Sequence, residues 1–236
     1  MAVYSLIGLA SYAASIGFGI ATLAVGSILT FTRIFDAVTD PMLAIIYDRV
    51  NTKWGKIRPL LLCGWVIQSV ALLSMFSWFS GSGFGMVMFI LLYMVYVIGY
   101  TLVNMTAQTI PPLLTNDPKQ RPAVGVWSTA LNYFVPMVIA VVLNVVLLPM
   151  YGGSYTQSYL AAAAYVCVGV SFVGIILVCI GISAYDKPEN FVGVRAGGER
   201  LKVRDMLRII KENKPLQCYI VSNASDKIAQ QTASAS

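Results

Sequence analysis

Three charged residues stand where charge is expensive: Arg33, Asp36 and Asp40 lie inside an apolar run from about residue 20 to residue 47. A charged side chain at the centre of a bilayer costs at least ~2.5 kcal/mol on insertion scales, so each needs a chemical reason. Steps of three and four residues put all three on one helix face, within about 60° of one another. An ion pair between Arg33 and Asp36 would account for one carboxylate only. Two carboxylates one turn apart, with a single nearby cation in sequence, need a proton or a metal cation to complete the site. Two hard oxygen donors, joined by hydroxyl or carbonyl oxygens, suit Na+, Li+ or H+. Pro41, directly after Asp40, frees a backbone carbonyl that offers a further ligand.

The composition says what surrounds that stripe. Of 236 residues, 58% are hydrophobic and 11% charged, against roughly 25% charged in an ordinary soluble domain. From Pro59 to Asn116 there is no charged side chain, and none from Pro122 to Tyr185; each stretch holds two spans of about 20 residues. Lipid is therefore the expected solvent. The net charge of +6 belongs to loops between apolar runs rather than to a basic face on a soluble module, which argues against nucleic acid as a partner. No histidine is present, and Cys63, Cys167, Cys179 and Cys218 show no CxxC spacing, so metal, redox and cofactor readings are poor. No nucleophile, base and orienting group cluster near an interface, which argues against an enzyme.

Length and breakers place helix 1 at about 2–16, helix 2 at 20–47, helix 3 at 59–79, helix 4 at 84–114, helix 5 at 122–149 and helix 6 at 157–184. Residues 1–18 read as a transmembrane helix whose beginning is missing. A seventh helix is expected to start near residue 215 and to be cut off. The 2–3 loop carries Arg49, Lys53, Lys56 and Arg58, the 4–5 loop Lys119 and Arg121, and the segment from Lys187 to Lys214 eight more basic residues, while the alternate connections carry none. The positive-inside rule puts the basic loops in the cytoplasm. An all-α membrane fold follows: a six-helix bundle over 1–184, a cytoplasmic linker over 185–214 and the start of a further span over 215–236. Within the linker, Val203, Met206, Leu207 and Ile210 recur at helical spacing, as in an amphipathic spacer resting on headgroups. Asp226 and Lys227 fall in the seventh helix, where a substrate contact and a structural pair fit equally well.

The run Arg33-Ile34-Phe35-Asp36-Ala37-Val38-Thr39-Asp40-Pro41, followed by Asp48-Arg49, Lys53-Trp54-Gly55-Lys56 and Arg58-Pro59, resembles the glycoside–pentoside–hexuronide cation symporters, the melibiose-permease-like branch of the major facilitator superfamily. Gly99-Tyr100-Thr101-Leu102-Val103-Asn104, the stretch from Leu114 to Arg121, and Lys214-Pro215-Leu216 are similar to that family as well. The resemblance implies a plasma-membrane transporter of two six-helix bundles, with a sugar between the bundles and a coupling cation beside it. This chain would supply the first bundle and need a C-terminal bundle as partner. The family's cation ligands fall on Asp36 and Asp40, with Thr101 at a ligand hydroxyl and Thr39 where an asparagine is familiar. The family's substrate positions fall on Asn104, Gln108 and about Thr129, none of which keeps the charged or tryptophan side chain expected there, so galactoside specificity does not carry over. Arg33 joins the substrate-side group, and Asn104 and Gln108 share a helix face.

In the superfamily the 2–3 loop caps the cytoplasmic end and holds the outward-facing state. Asp48, Arg49, Lys56 and Arg58 would form that gate here, a role that topology-setting charge alone explains for the lysines but not for Asp48 or Gly55. The competing expectation is a truncated or sensory half-bundle that keeps the transporter fold without turnover.

Overall fold

The structure is a computed structural model describing residues 9–50, 52, 55–80, 85–115, 117, 119–186, 211–222 and 225. Lys53, residues 201–210, Asp226, Lys227 and the side chains of Arg33, Asp48 and Arg49 lie outside the described residues. The chain divides into two compact units, Met1–Asn190 and Phe191–Ser236.

The first unit is built of helices in sequence. α1 covers Ala10–Tyr12 and runs on as a π-helix through Ala13–Gly17; α2 is Thr22–Arg49; α3 is Ile57–Leu73 with a π-helical end, Ser74–Trp78; α4 is Gly85–Leu114; α5 is Arg121–Val141, extended by the π-helical Val142–Leu147 and by Leu148–Met150; α6 is Gln157–Ile182. The expected bounds of α2 to α6 agree with these to within about two residues, because charge-free apolar runs broken by Gly, Pro and polar clusters leave little choice of where a helix can begin and end. The ends have identifiable causes. Pro122 sits in the first turn of α5, where its missing N–H is no loss, and the Thr156 hydroxyl accepts the Tyr159 amide at the start of α6, at 3.3 Å.

Among the described residues, four segments are long and apolar enough to cross a membrane: Ile57–Trp78, Gly85–Pro111, Pro122–Met150 and Gln157–Ile182, with mean hydropathies from 1.9 to 2.6. α2, at 28 residues, rises ~42 Å and has the length. Arg33, Asp36 and Asp40 dilute its apolar character, and it is not among the four. The outward faces of α5 and α6 carry Trp127, Tyr133, Phe134, Val173 and Leu177 exposed, as helices surrounded by lipid tails do.

The core lies toward the uncharged connections. Ala10, Ala13 and Ala14 of α1 are fully buried against Leu72, Met75 and Phe76 of α3, Phe89, Tyr93 and Tyr96 of α4, and Leu160, Ala163, Ala164 and Cys167 of α6. Polar contacts add to the packing there. Trp65 Nε1 donates to Ser171 Oγ at 2.7 Å between α3 and α6, and Gln157 Nε2 donates to the Phe76 carbonyl in the π-helical end of α3 at 2.7 Å. In lipid no water stands ready to satisfy such groups, so interhelical hydrogen bonds of this kind hold neighbours in register.

In the second unit, residues 214–222 are helical. The Asn213 side chain accepts the Leu216 amide at 3.2 Å, an N-cap that suits the Lys214-Pro215 start.

Candidate cation site

Asp36 and Asp40 lie one turn apart on α2 with Thr39 between them in sequence, and Thr101 reaches Asp40 from α4. The Thr101 hydroxyl, on a residue 6% exposed, donates to Asp40 Oδ1 at 3.1 Å. That bond joins two helices 61 positions apart in sequence and brings together two of the four residues expected to hold a cation. Asp36 is half-buried and its Oδ1 is out of contact with solvent. Thr39 turns its proton inward, to the carbonyls of Phe35 at 3.1 Å and Asp36 at 3.2 Å, a back-bond that occupies the hydroxyl hydrogen and leaves the oxygen lone pairs for another group. Carboxylate and hydroxyl oxygens are donors of the kind that hard cations take, and among the four residues a side-chain hydrogen bond joins Thr101 to Asp40.

The expected substrate residues are more dispersed. Asn104 is half-buried three residues after Thr101 on α4, Gln108 is exposed one turn further along, and Thr129 is exposed on α5. The structure keeps Asn104 and Gln108 on one helix but brings no described side chain of that group into hydrogen-bond contact with Thr129.

The basic end of the unit is organised around a residue that sequence reasoning missed. Asp186, just past α6, is 0% exposed. Its Oδ1 accepts the backbone amides of Lys56 at 2.9 Å and Ile57 at 3.2 Å, and its Oδ2 accepts the Arg58 amide at 2.9 Å and Arg58 Nε at 3.3 Å. Arg58 Nη2 also donates to the Asp186 backbone carbonyl at 3.1 Å. The carboxylate thus caps α3 from a distance of 128 positions or more in chain, satisfying amides that no side chain of its own helix reaches and placing negative charge at the positive end of the helix. Gly55 makes the approach possible. It pairs with Thr52 through two backbone bonds of 3.2 and 3.3 Å, holds φ at +100°, and a Cβ there would stand 2.3 Å from the Asp186 carboxylate. The one signal in the sequence is that Asp186 is the first charge after the long uncharged stretch ending at Tyr185.

Lys56 is tied in as well, its Nζ 4.3 Å from the centre of the Tyr47 ring, while the Tyr47 hydroxyl shares a hydrogen bond of 2.9 Å with Thr109 Oγ1. Of the four expected gate residues, Lys56 and Arg58 therefore make contacts within this unit, and the side chains of Asp48 and Arg49 lie outside the described residues.

The family profile described as MFS/sugar transport protein matches residues 5–226. Over 172 residues the chain is 31% identical to the putative glycoside/cation symporter YagG of Escherichia coli (strain K12), covering 69% of this chain and 35% of that protein. It is 26% identical over 223 residues to the isoprimeverose transporter of Lactiplantibacillus pentosus, 92% of this chain and 44% of the relative, and 33% identical over 111 residues to the glucuronide carrier protein homolog of Escherichia coli (strain K12), 45% of this chain and 24% of the relative. The chain thus spans less than half the length of these curated relatives. No solved structure matches it. With an all-α bundle of apolar helices and a family profile matched along nearly its whole length, the chain is a multi-pass membrane protein that belongs to the MFS sugar transport family.

Proposed function

We propose that this chain is the N-terminal bundle of a symporter that moves a sugar, glycoside or hexuronide together with Na+, Li+ or H+ across the plasma membrane, with the basic loops in the cytoplasm. The observation that supports the reading is the Thr101–Asp40 bond of 3.1 Å between α2 and α4, because it joins a hydroxyl of one helix to one of two carboxylates set a turn apart on the other. Asp36 and Asp40 supply charge, and Thr39 and Thr101 supply neutral oxygens. Arg33, Asn104, Gln108 and Thr129 are assigned to the substrate side, and a C-terminal bundle supplies the opposite wall. The domain scheme is a bundle over 1–184, a linker over 185–214 and the start of a seventh span over 215–236. Lys56 and Arg58 belong to the cytoplasmic gate together with Asp48 and Arg49.

The test is uptake of a panel of radiolabelled disaccharides, pentosides and hexuronides into membrane vesicles carrying the full-length protein, under imposed Na+, Li+ or H+ gradients. Asp36→Asn and Asp40→Asn keep side-chain shape and each remove one of two charges that neutralise a desolvated cation. Each is expected to abolish cation-stimulated uptake while membrane insertion stays intact. Wild-type cation dependence in the Asp40→Asn protein would sink the paired-carboxylate assignment, and absence of uptake by the wild-type protein for every sugar and gradient would favour a non-transporting bundle.

A further inference from the structure

α4 is gripped on one face and carries the candidate ligand on the other. On the gripped face, a Cβ added at Gly99 would stand 2.5 Å from the Gln68 backbone nitrogen and 2.8 Å from the Gly64 carbonyl oxygen of α3. The approach is mutual, since a Cβ at Gly64 would stand 2.9 Å from Leu102 Cβ and 3.0 Å from the Gly99 carbonyl oxygen. Backbone stands close to backbone, flanked by the Cβ atoms of Leu102 and Gln68, the arrangement that small residues permit between helices in lipid. Such a contact has no flexible atom to give way, so it fixes how far α4 stands from α3. Thr101 follows Gly99 by two residues and points about 200° round the helix from it, toward α2, where its hydroxyl meets Asp40. α4 therefore sits between an incompressible contact and the oxygens of the candidate site.

We propose that the Gly64–Gly99 crossing sets the spacing between α2 and α4, and through it the size of monovalent cation that Asp36, Asp40 and Thr101 hold, so that Gly99 is a positioning residue for cation selectivity. The inference rests on the cation site proposed above. A methyl group at position 99 must retreat by about 0.9 Å, from 2.5 Å to the 3.4 Å of ordinary contact, and the direction open to α4 is away from α3, toward Asp40. The ring of oxygens tightens, which disfavours the larger ion more than the smaller one. The same substitution at Gly64 meets slightly longer distances and works in the same direction with smaller effect.

The experiment is titration calorimetry of the purified full-length protein with NaCl and with LiCl, which needs no knowledge of the sugar. Gly99→Ala is expected to raise the Na+ dissociation constant roughly tenfold relative to that for Li+, and Gly64→Ala to shift the ratio in the same direction by a smaller factor. An unchanged Na+/Li+ ratio in Gly99→Ala, or equal weakening of both ions, overturns the inference, because a purely structural crossing would not distinguish the ions. If Gly99→Ala does not accumulate in membranes, Gly64→Ala decides on the same ratio. The Asp40→Asn protein separates the two levels of the argument. Wild-type Na+ binding there refutes the site itself, whereas loss of binding there with an unchanged ratio in the glycine variants refutes only the role of the crossing.

Discussion

Asp186 receives Arg58 twice on one oxygen, once from the backbone amide at 2.9 Å and once from Nε at 3.3 Å. The first contact caps α3 and the second neutralises the arginine that follows the cap, so a single carboxylate ties the loop before α3 to the end of α6. Removing one partner of a buried pair is costly because the other charge and the freed amides stay behind. Asp186→Asn is expected to lower stability by roughly 3 kcal/mol, a figure kept moderate because the Arg58 side chain is 28% exposed. A melting curve in detergent reads the effect directly. A variant that melts with the wild-type would mean that the carboxylate is not what holds α3.

Gly55 and Gly125 make a paired comparison. At Gly55, φ of +100° and a would-be Cβ at 2.3 Å from Asp186 combine a left-handed backbone cost of about 1–2 kcal/mol with a clash against a side chain that is fully engaged. At Gly125, inside α5, a Cβ would meet nothing within 4 Å, and alanine improves helix propensity by up to about 1 kcal/mol. Gly55→Ala should therefore lower the melting temperature and Gly125→Ala should leave it level or raise it. Equal melting temperatures for the two proteins would show that the Thr52–Gly55 turn tolerates rearrangement.

Orientation is open to a chemical test. The proposed orientation, argued from the charge contrast between loops, has Lys53 in the cytoplasm and Gly152 outside. With cysteine introduced at either position in an otherwise cysteine-free full-length protein, a membrane-impermeant maleimide should label position 152 and not position 53 in intact cells. The reverse pattern would invert the assignment of every loop.

What the sequence reveals and what it hides divide along the range of the interaction. Helix bounds and the Asp36–Asp40 stripe are legible because hydropathy and the 3.6-residue period are local signals. The partner of Asp40 needed a resemblance to locate Thr101, since nothing in the spacing of α2 points 61 residues ahead. Asp186 caps a helix that begins 129 positions earlier, and a cap from outside its own helix has no motif. Gly64 and Gly99 are isolated glycines in apolar runs, indistinguishable by spacing from Gly125, Gly169 or Gly174, which have open space around them. The π-helical ends at Ala13–Gly17, Ser74–Trp78 and Val142–Leu147 are likewise invisible in the hydropathy pattern, and in the second of them the Phe76 carbonyl accepts from Gln157, 81 positions further along the chain.

Thr101 offers the most direct reading of the candidate site. Its hydroxyl is the only atom that Thr101→Val removes while keeping β-branched shape, and Thr101→Ser keeps the hydroxyl while losing a methyl group. If the oxygen ligates the coupling cation, Val should weaken cation binding roughly tenfold, or ~1.4 kcal/mol, in the range of a hydrogen bond to a charged group, and Ser should stay near wild-type. Helix packing makes the opposite ordering, since the buried methyl of Thr101 matters to a structural role and the hydroxyl matters less. Linkage adds a second observable. A loss of cation affinity that belongs to coupling must reduce the cation-dependent gain in sugar affinity, so the Val protein should bind its sugar with little response to Na+, Li+ or pH. Calorimetric titration of the full-length Val and Ser proteins with NaCl and LiCl decides between the two orderings. Full cation affinity in Thr101→Val would remove Thr101 from the ligand set and leave its bond to Asp40 as a packing contact between α2 and α4.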